Sequence, residues 1–93
     1  MNLRKEARGR PCTIRLPGCD GGGETTVLAH FRDGAGLGLK PDDLAYGAWS
    51  CASCHDAVDQ RRKVPYHTQA EIRLAHAVGV MRTINQLRKE GKA

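Results

Sequence analysis

The spacing of four cysteines, Cys12-x6-Cys19 and Cys51-x2-Cys54, constrains this chain more than any other feature. A chain of 93 residues is read as one domain over 1–93. A core of that size rarely suffices alone, and small scaffolds add a metal, disulfides or a partner. The start, Met1-Asn2-Leu3-Arg4-Lys5, has no apolar run of the kind that marks a secretory signal. Nothing in the sequence approaches the roughly 18 consecutive apolar residues of a membrane span. The expected compartment is therefore a reducing cytoplasm, where thiols bind metal and disulfides are rare. A Cys-x2-Cys knuckle aims two thiolates at one ion, and a second pair completes the tetrahedron that structural zinc prefers. Pro17-Gly18 offers the wider first pair a way to curl back. One Zn²⁺ held by Cys12, Cys19, Cys51 and Cys54 is the adopted reading, with two disulfides as its rival. Cys51-Ala52-Ser53-Cys54-His55 also matches the attachment motif of c-type haem. That chemistry requires export, and it leaves Cys12 and Cys19 without a role.

The pattern along the chain predicts an α+β fold. Residues 1–10 read as a basic arm. Residues 12–16 alternate like a short strand, 25–31 are β-branched and apolar, and 44–49 suggest a third strand. Residues 32–43 hold three glycines and a proline and read as a loop. Ser50 precedes a predicted helix over 52–63, closed by Pro65. Thr68-Gln69-Ala70-Glu71 is a capping box, and the helix behind it runs over 68–90, to a glycine stop at Gly91. Its apolar stripes are Ile72, Ala75 and Val78 beside Leu74, Ala77, Met81 and Ile84. A helix of that length packs across the whole domain or pairs with a second copy. Trp49 reads as core, and His67 and His76 as surface or helix-face histidines.

The net charge is +5 at pH 7, and much of it lies at the start, where Arg4, Lys5, Arg8, Arg10 and Arg15 face Glu6 alone. Arg32, Lys40 and the cluster Arg61-Arg62-Lys63 extend it. An anionic partner follows, most simply nucleic acid. His55 and Asp59 are four residues apart on the predicted helix, so both project from one face and could share a divalent ion. A strand–loop–strand–knuckle–helix order places His30, on the first strand of this ββα unit, opposite them.

Several of these residues carry a family resemblance. Leu3-Arg4-Lys5 with Ala7-Arg8-Gly9, Leu28-Ala29-His30, Lys40-Pro41 with Asp43-Leu44, and Cys51-x-x-Cys54-His55-Asp56 with Asp59 resemble the YbcO-type nuclease family of prophages over about residues 3–62. That family is related to the HNH, or ββα-metal, endonucleases and to the Ref nuclease that works with RecA. The resemblance implies a zinc-stapled ββα core over 12–63 and a metal-dependent DNA endonuclease. It implies that His30 is the general base, that Asp43 orients it, and that His55 and Asp59 hold Mg²⁺ or another divalent ion. It also implies a setting in phage recombination, with a protein such as RecA as partner. The sequence departs from the common HNH pattern at Ala29, where many members have a metal ligand before the base. Asp43 stands in place of Asn, and Asp59 in place of a second helix His. The alternative is a non-catalytic zinc ribbon that binds DNA or protein. A third possibility is a structural adaptor that works through the last helix.

Overall fold

The computed structural model describes residues 2–32 and 42–93. Elements follow in the order α1 (Leu3–Ala7), β1 (Val27–His30), α2 (Asp43–Tyr46), β2 (Gly47–Ser50), α3 (Ala52–Val58) and α4 (Gln69–Lys89). The fold is a small mixed α+β arrangement: one two-stranded sheet, a long C-terminal helix and four converging cysteines. Among the described residues no helix is long and apolar enough to cross a membrane.

The expected strand over 12–16 does not form. Pro11 makes a single antiparallel bridge to Gly22, and the chain then turns through Arg15 at φ 61°. Cys12, Thr13, Ile14 and Leu16 are all buried, so the segment does not alternate as a strand would. It is a knuckle that turns its sulfur and its apolar side chains to the same interior.

β1 and β2 pair antiparallel, with Leu28 opposite Trp49 and His30 opposite Gly47. The strand expected over 44–49 divides in two. The Asp42 carboxylate accepts from the Ala45 N–H at 2.8 Å and starts a short helix, and only 47–50 are extended. Gly47 is required at that junction. A Cβ there would strike the Asp43 carbonyl and come within 2.6 Å of Leu28 Cδ1. All four β2 residues are buried, and Trp49 is core as expected.

α3 is shorter than the expected 52–63. Its last turn is closed by Gln60 in the left-handed region at φ 64°, with Arg61 N–H donating to the Asp56 carbonyl at 2.7 Å. Asp59 therefore sits at the C-terminal cap, still one turn from His55.

α4 begins with the capping box. Thr68 Oγ1 accepts from Glu71 N–H at 3.1 Å, and Glu71 Oε1 accepts from Thr68 N–H at 2.8 Å. Its buried seam is Ile72, His76, Gly79, Val80, Thr83 and Leu87. Leu74 and Met81, assigned to an apolar stripe, are 63% and 60% exposed, while Ile84 packs partly on the core. The helix thus turns a seam containing two polar residues inward, because those two bind buried backbone. Thr13 Oγ1 donates to the Trp49 carbonyl at 2.9 Å. Thr83 Oγ1 consequently donates to Thr13 Oγ1 and accepts the Trp49 N–H, both at 3.0 Å. Thr83→Val keeps the shape but strands that buried N–H. We expect it to lower unfolding free energy by about 1–3 kcal/mol in a denaturant titration.

The basic arm is docked on the fold. Asn2 caps α1 and Ala7 is buried. The Arg10 guanidinium lies 4.6 Å over Trp49 and donates to both Glu90 carboxylate oxygens at 2.6 Å and to Glu6 at 3.0 Å. Lys92 joins Glu6 at 3.0 Å. The bond from Arg10, then that from Gln86, holds the Glu90 carboxyl at about 2 against an ordinary 4.5. A depressed folded-state value stabilises the fold above the unfolded value, and that stabilisation disappears as pH falls through the folded one. Glu90→Gln should therefore melt below the parent protein at pH 7, and the Tm gap should close as pH drops from about 4.5 to about 2.

Candidate metal centre and active site

The sulfur atoms of Cys12, Cys19, Cys51 and Cys54 all lie within 4.8 Å of one another. Cys12 and Cys19 come from the knuckle and the turn after it, and Cys51 and Cys54 from the cap and first turn of α3. Cys19 and Cys51 are 3.7 Å apart. A tetrahedron with metal–sulfur bonds of about 2.3 Å spaces its sulfurs by about 3.8 Å, so the set fits an ion such as zinc. All four are free thiols. The Cys54 N–H donates to Cys51 Sγ, and the Gly21 N–H to Cys19 Sγ, each at 3.3 Å, which favours thiolate. A hydrogen bond from the Cys54 thiol holds Cys12 down to about 4, and the same contact, together with burial, pushes Cys54 up. Four such sulfurs ionise together only around a cation. Arg62 braces the two arms of the cluster, donating to the Ser53 and Pro17 carbonyls at 2.9 Å each. Ser53 Oγ adds a bond to the Gly18 carbonyl at 2.8 Å.

His30 ends β1, and its Nε2 lies 2.6 Å from Asp43 Oδ1. Asp43 opens α2, where the Asp42 cap fixes its backbone. Arg4 Nε approaches the other Asp43 oxygen at 3.5 Å. The His30 bond first, and then Arg4, holds the Asp43 carboxyl below the usual carboxylate range. An ionised carboxylate accepts only, so the neutral imidazole carries its proton on Nε2 and keeps Nδ1 basic.

His55 Nε2 and Asp59 Oδ2 are 3.3 Å apart, and Arg61 bridges Asp59 and Asp56 at 3.4 and 3.5 Å. Among the described residues the cysteines are the group of three or more such side chains whose ligand atoms converge, so His55 and Asp59 stand as a pair. Asp59 and His30 line one cleft of about 280 Å³, with Arg32, Gln69, Arg73 and His76. Ala29 is buried, and its carbonyl accepts from His76 Nε2 at 3.0 Å. His76, read as a surface or helix-face histidine, faces inward and is buried on the seam of α4 against Phe31, and desolvation pushes its pKa down. Its four-residue step from Ile72 and three-residue step to Gly79 were the available signal. Arg73 beside it gave none.

The basic residues divide. Arg4, Lys5 and Arg8 line a second cleft of about 650 Å³ that also contains His30. Arg8 is exposed and 3.6 Å from Glu24. Arg10 and Arg62 are held by the fold, as described above. Lys63 is exposed beyond α3. Lys40, with the three loop glycines, lies outside the described residues.

Fold and site together define a class: a small α+β domain with four thiols placed to hold a metal ion and a cleft lined by an imidazole and a carboxylate. Within that class the chain belongs to the family described as "Putative nuclease YbcO", whose profile matches residues 1–92. It is similar to the "Putative nuclease YbcO" of Escherichia coli strain K12, at 51% identity over 63 residues, 64% of this chain and 65% of that protein. The "Putative nuclease ybcO" of Enterobacteria phage 82 matches equally. The match thus spans just under two thirds of the length of these relatives. A solved structure, described as that of "a putative bacteriophage protein" from Escherichia coli K-12, superposes with a TM-score of 0.79 at 38% identity. It covers 97% of this chain and 100% of its own.

Proposed function

We propose that this chain is a metal-dependent endonuclease of the HNH type that hydrolyses DNA phosphodiester bonds, with a structural zinc apart from its reacting centre. The observation that carries the reading is the 2.6 Å His30–Asp43 bond at the edge of a cleft shared with Asp59. In this reading Asp43 fixes the ring and tautomer of His30. His30 Nδ1 takes a proton from the water that attacks phosphorus, as a neutral imidazole does near pH 7. His55 and Asp59 would hold a divalent ion, since an imidazole with a carboxylate leaves room for the water and phosphate oxygens that Mg²⁺ keeps, and its chemistry there would be to offset the negative charge that the phosphate and its leaving oxygen gain. Arg4, Lys5 and Arg8 contact the flanking backbone with little regard for sequence.

Phage or prophage DNA processing is the setting we infer, in line with the names of the relatives. A RecA-like partner belongs to the same proposal and rests on the family resemblance. A homodimer through α4 would use exposed Leu74 and Met81. The deciding assay incubates purified protein with plasmid and with single strands, with and without Mg²⁺ or Mn²⁺. Ion-dependent nicking is the expected result. No cleavage of any substrate with either ion would replace this reading with the non-catalytic zinc ribbon.

A further inference from the structure

Two clefts meet at His30. One is the α1 cleft of Arg4, Lys5 and Arg8. The other lies between the end of β1, Asp59 and the first turns of α4, and contains Arg32 and Arg73. Nucleic-acid enzymes position a strand by its phosphates, and a scissile bond at one imidazole has phosphates leading away from it in both directions. The α1 cleft accounts for one direction only.

Arg73 is built for the other. Its guanidinium carbon lies 4.7 Å over the Phe31 ring, and its Nη2 donates to the Arg32 carbonyl at 2.8 Å. Stacking and one bond fix the plane of the group, and a guanidinium has five N–H donors in a rigid fork suited to phosphate oxygens. Among the described residues no carboxylate lies within salt-bridge distance of Arg73, whereas Arg10 and Arg61 each face two. The fold thus presents a preset cation on the rim of the cleft that holds His30 and Asp59.

We propose that Arg73 binds a backbone phosphate of the nucleic acid in the α4 cleft, so that the strand crosses His30 from one cleft to the other. This rests on the reading that the chain acts on nucleic acid, and it adds a binding residue from the last helix. The test measures binding rather than cleavage. His30→Ala protein, with and without Arg73→Gln, is titrated with a fluorescein-labelled DNA duplex and with its single strand over a range of NaCl concentrations. Arg73→Gln should weaken binding about tenfold and flatten the log–log salt dependence by about one counterion. Arg73→Lys should restore most of the slope, because it keeps the charge. Circular dichroism and metal content matching the parent exclude misfolding. Unchanged affinity and slope in Arg73→Gln, or no DNA binding by the parent, would overturn the proposal. An intact His30 protein that cleaves DNA would still leave the catalytic reading standing. Conversely, loss of binding in Arg73→Gln with no cleavage by the intact protein would support the proposal and count against catalysis.

Discussion

Stripping the ion proposed for the four thiols should unfold the protein. The core is arranged around that cluster: Cys12, Cys51 and Cys54 belong to the same buried set as Ile14, Leu16, Ala29, Ala48, Ala57, Val64, Ile72 and Val80. Without a cation the sulfurs are a crowd of buried polar groups in which further ionisation is opposed. With one, they join the knuckle to the start of α3. Structural zinc contributes about 10–16 kcal/mol in small domains, against a net stability of about 5–15 kcal/mol for a typical fold. Removal therefore exceeds what the remaining packing can offset. Elemental analysis should find about one zinc per chain. A strong chelator should abolish the folded circular dichroism spectrum, and Cys51→Ser should do so without chelator. A cooperative melt that ignores the chelator, or two disulfides in the purified protein, would disprove the metal assignment.

His30→Ala should leave the proposed zinc and the fold in place and, if His30 is the general base, lose DNA cleavage by roughly two to four orders of magnitude, the usual contribution of such a group. The side chain is 18% exposed and bonds to Asp43, so its removal leaves the thiol cluster untouched. Asp43→Asn should cost less, since an amide oxygen can still accept from Nε2 while losing the charge that steadies a protonated ring. His55→Ala should also abolish cleavage, and Asp59→Ala should lose less, because phosphate and water oxygens can take its place. A cleavage rate in His30→Ala equal to that of the parent would transfer the chemistry elsewhere and favour the zinc-ribbon reading.

What could be read from the sequence was what chemistry states locally. The cysteine spacing names its own partner, and Thr68 with Glu71 names its own helix start. The proximity of Asp43 to His30 was legible only through the family resemblance, because an intervening loop hides it from any local pattern. The knuckle at 12–16 reads as a strand because an apolar–polar alternation does not reveal a left-handed residue such as Arg15. Asp42 is a cap signal at the end of the expected loop, overruled by the β-like residues after it. The stripes of α4 place Ile72, Ala75 and Ile84 on the core but not His76 and Thr83, because hydrophobicity ranks Leu74 and Met81 above them. His76 and Thr83 are buried for their hydrogen bonds to the Ala29 carbonyl and the Trp49 amide. Arg10 looked like one more cation for nucleic acid, and only the folded chain brings Glu90 to it.

That last contact links the tail of the molecule to the His30 imidazole. Glu6 and Arg10 flank the end of α1, Glu90 and Lys92 the end of α4, and their ion cluster ties the two ends together. α1 also carries Arg4, the second partner of Asp43. A fluctuation that frays the final turn of α4 therefore slackens α1, and with it one of the two restraints on the carboxylate that sets the His30 ring. The sharpness of the imidazole's orientation is governed in part by how firmly the C-terminal turn is held.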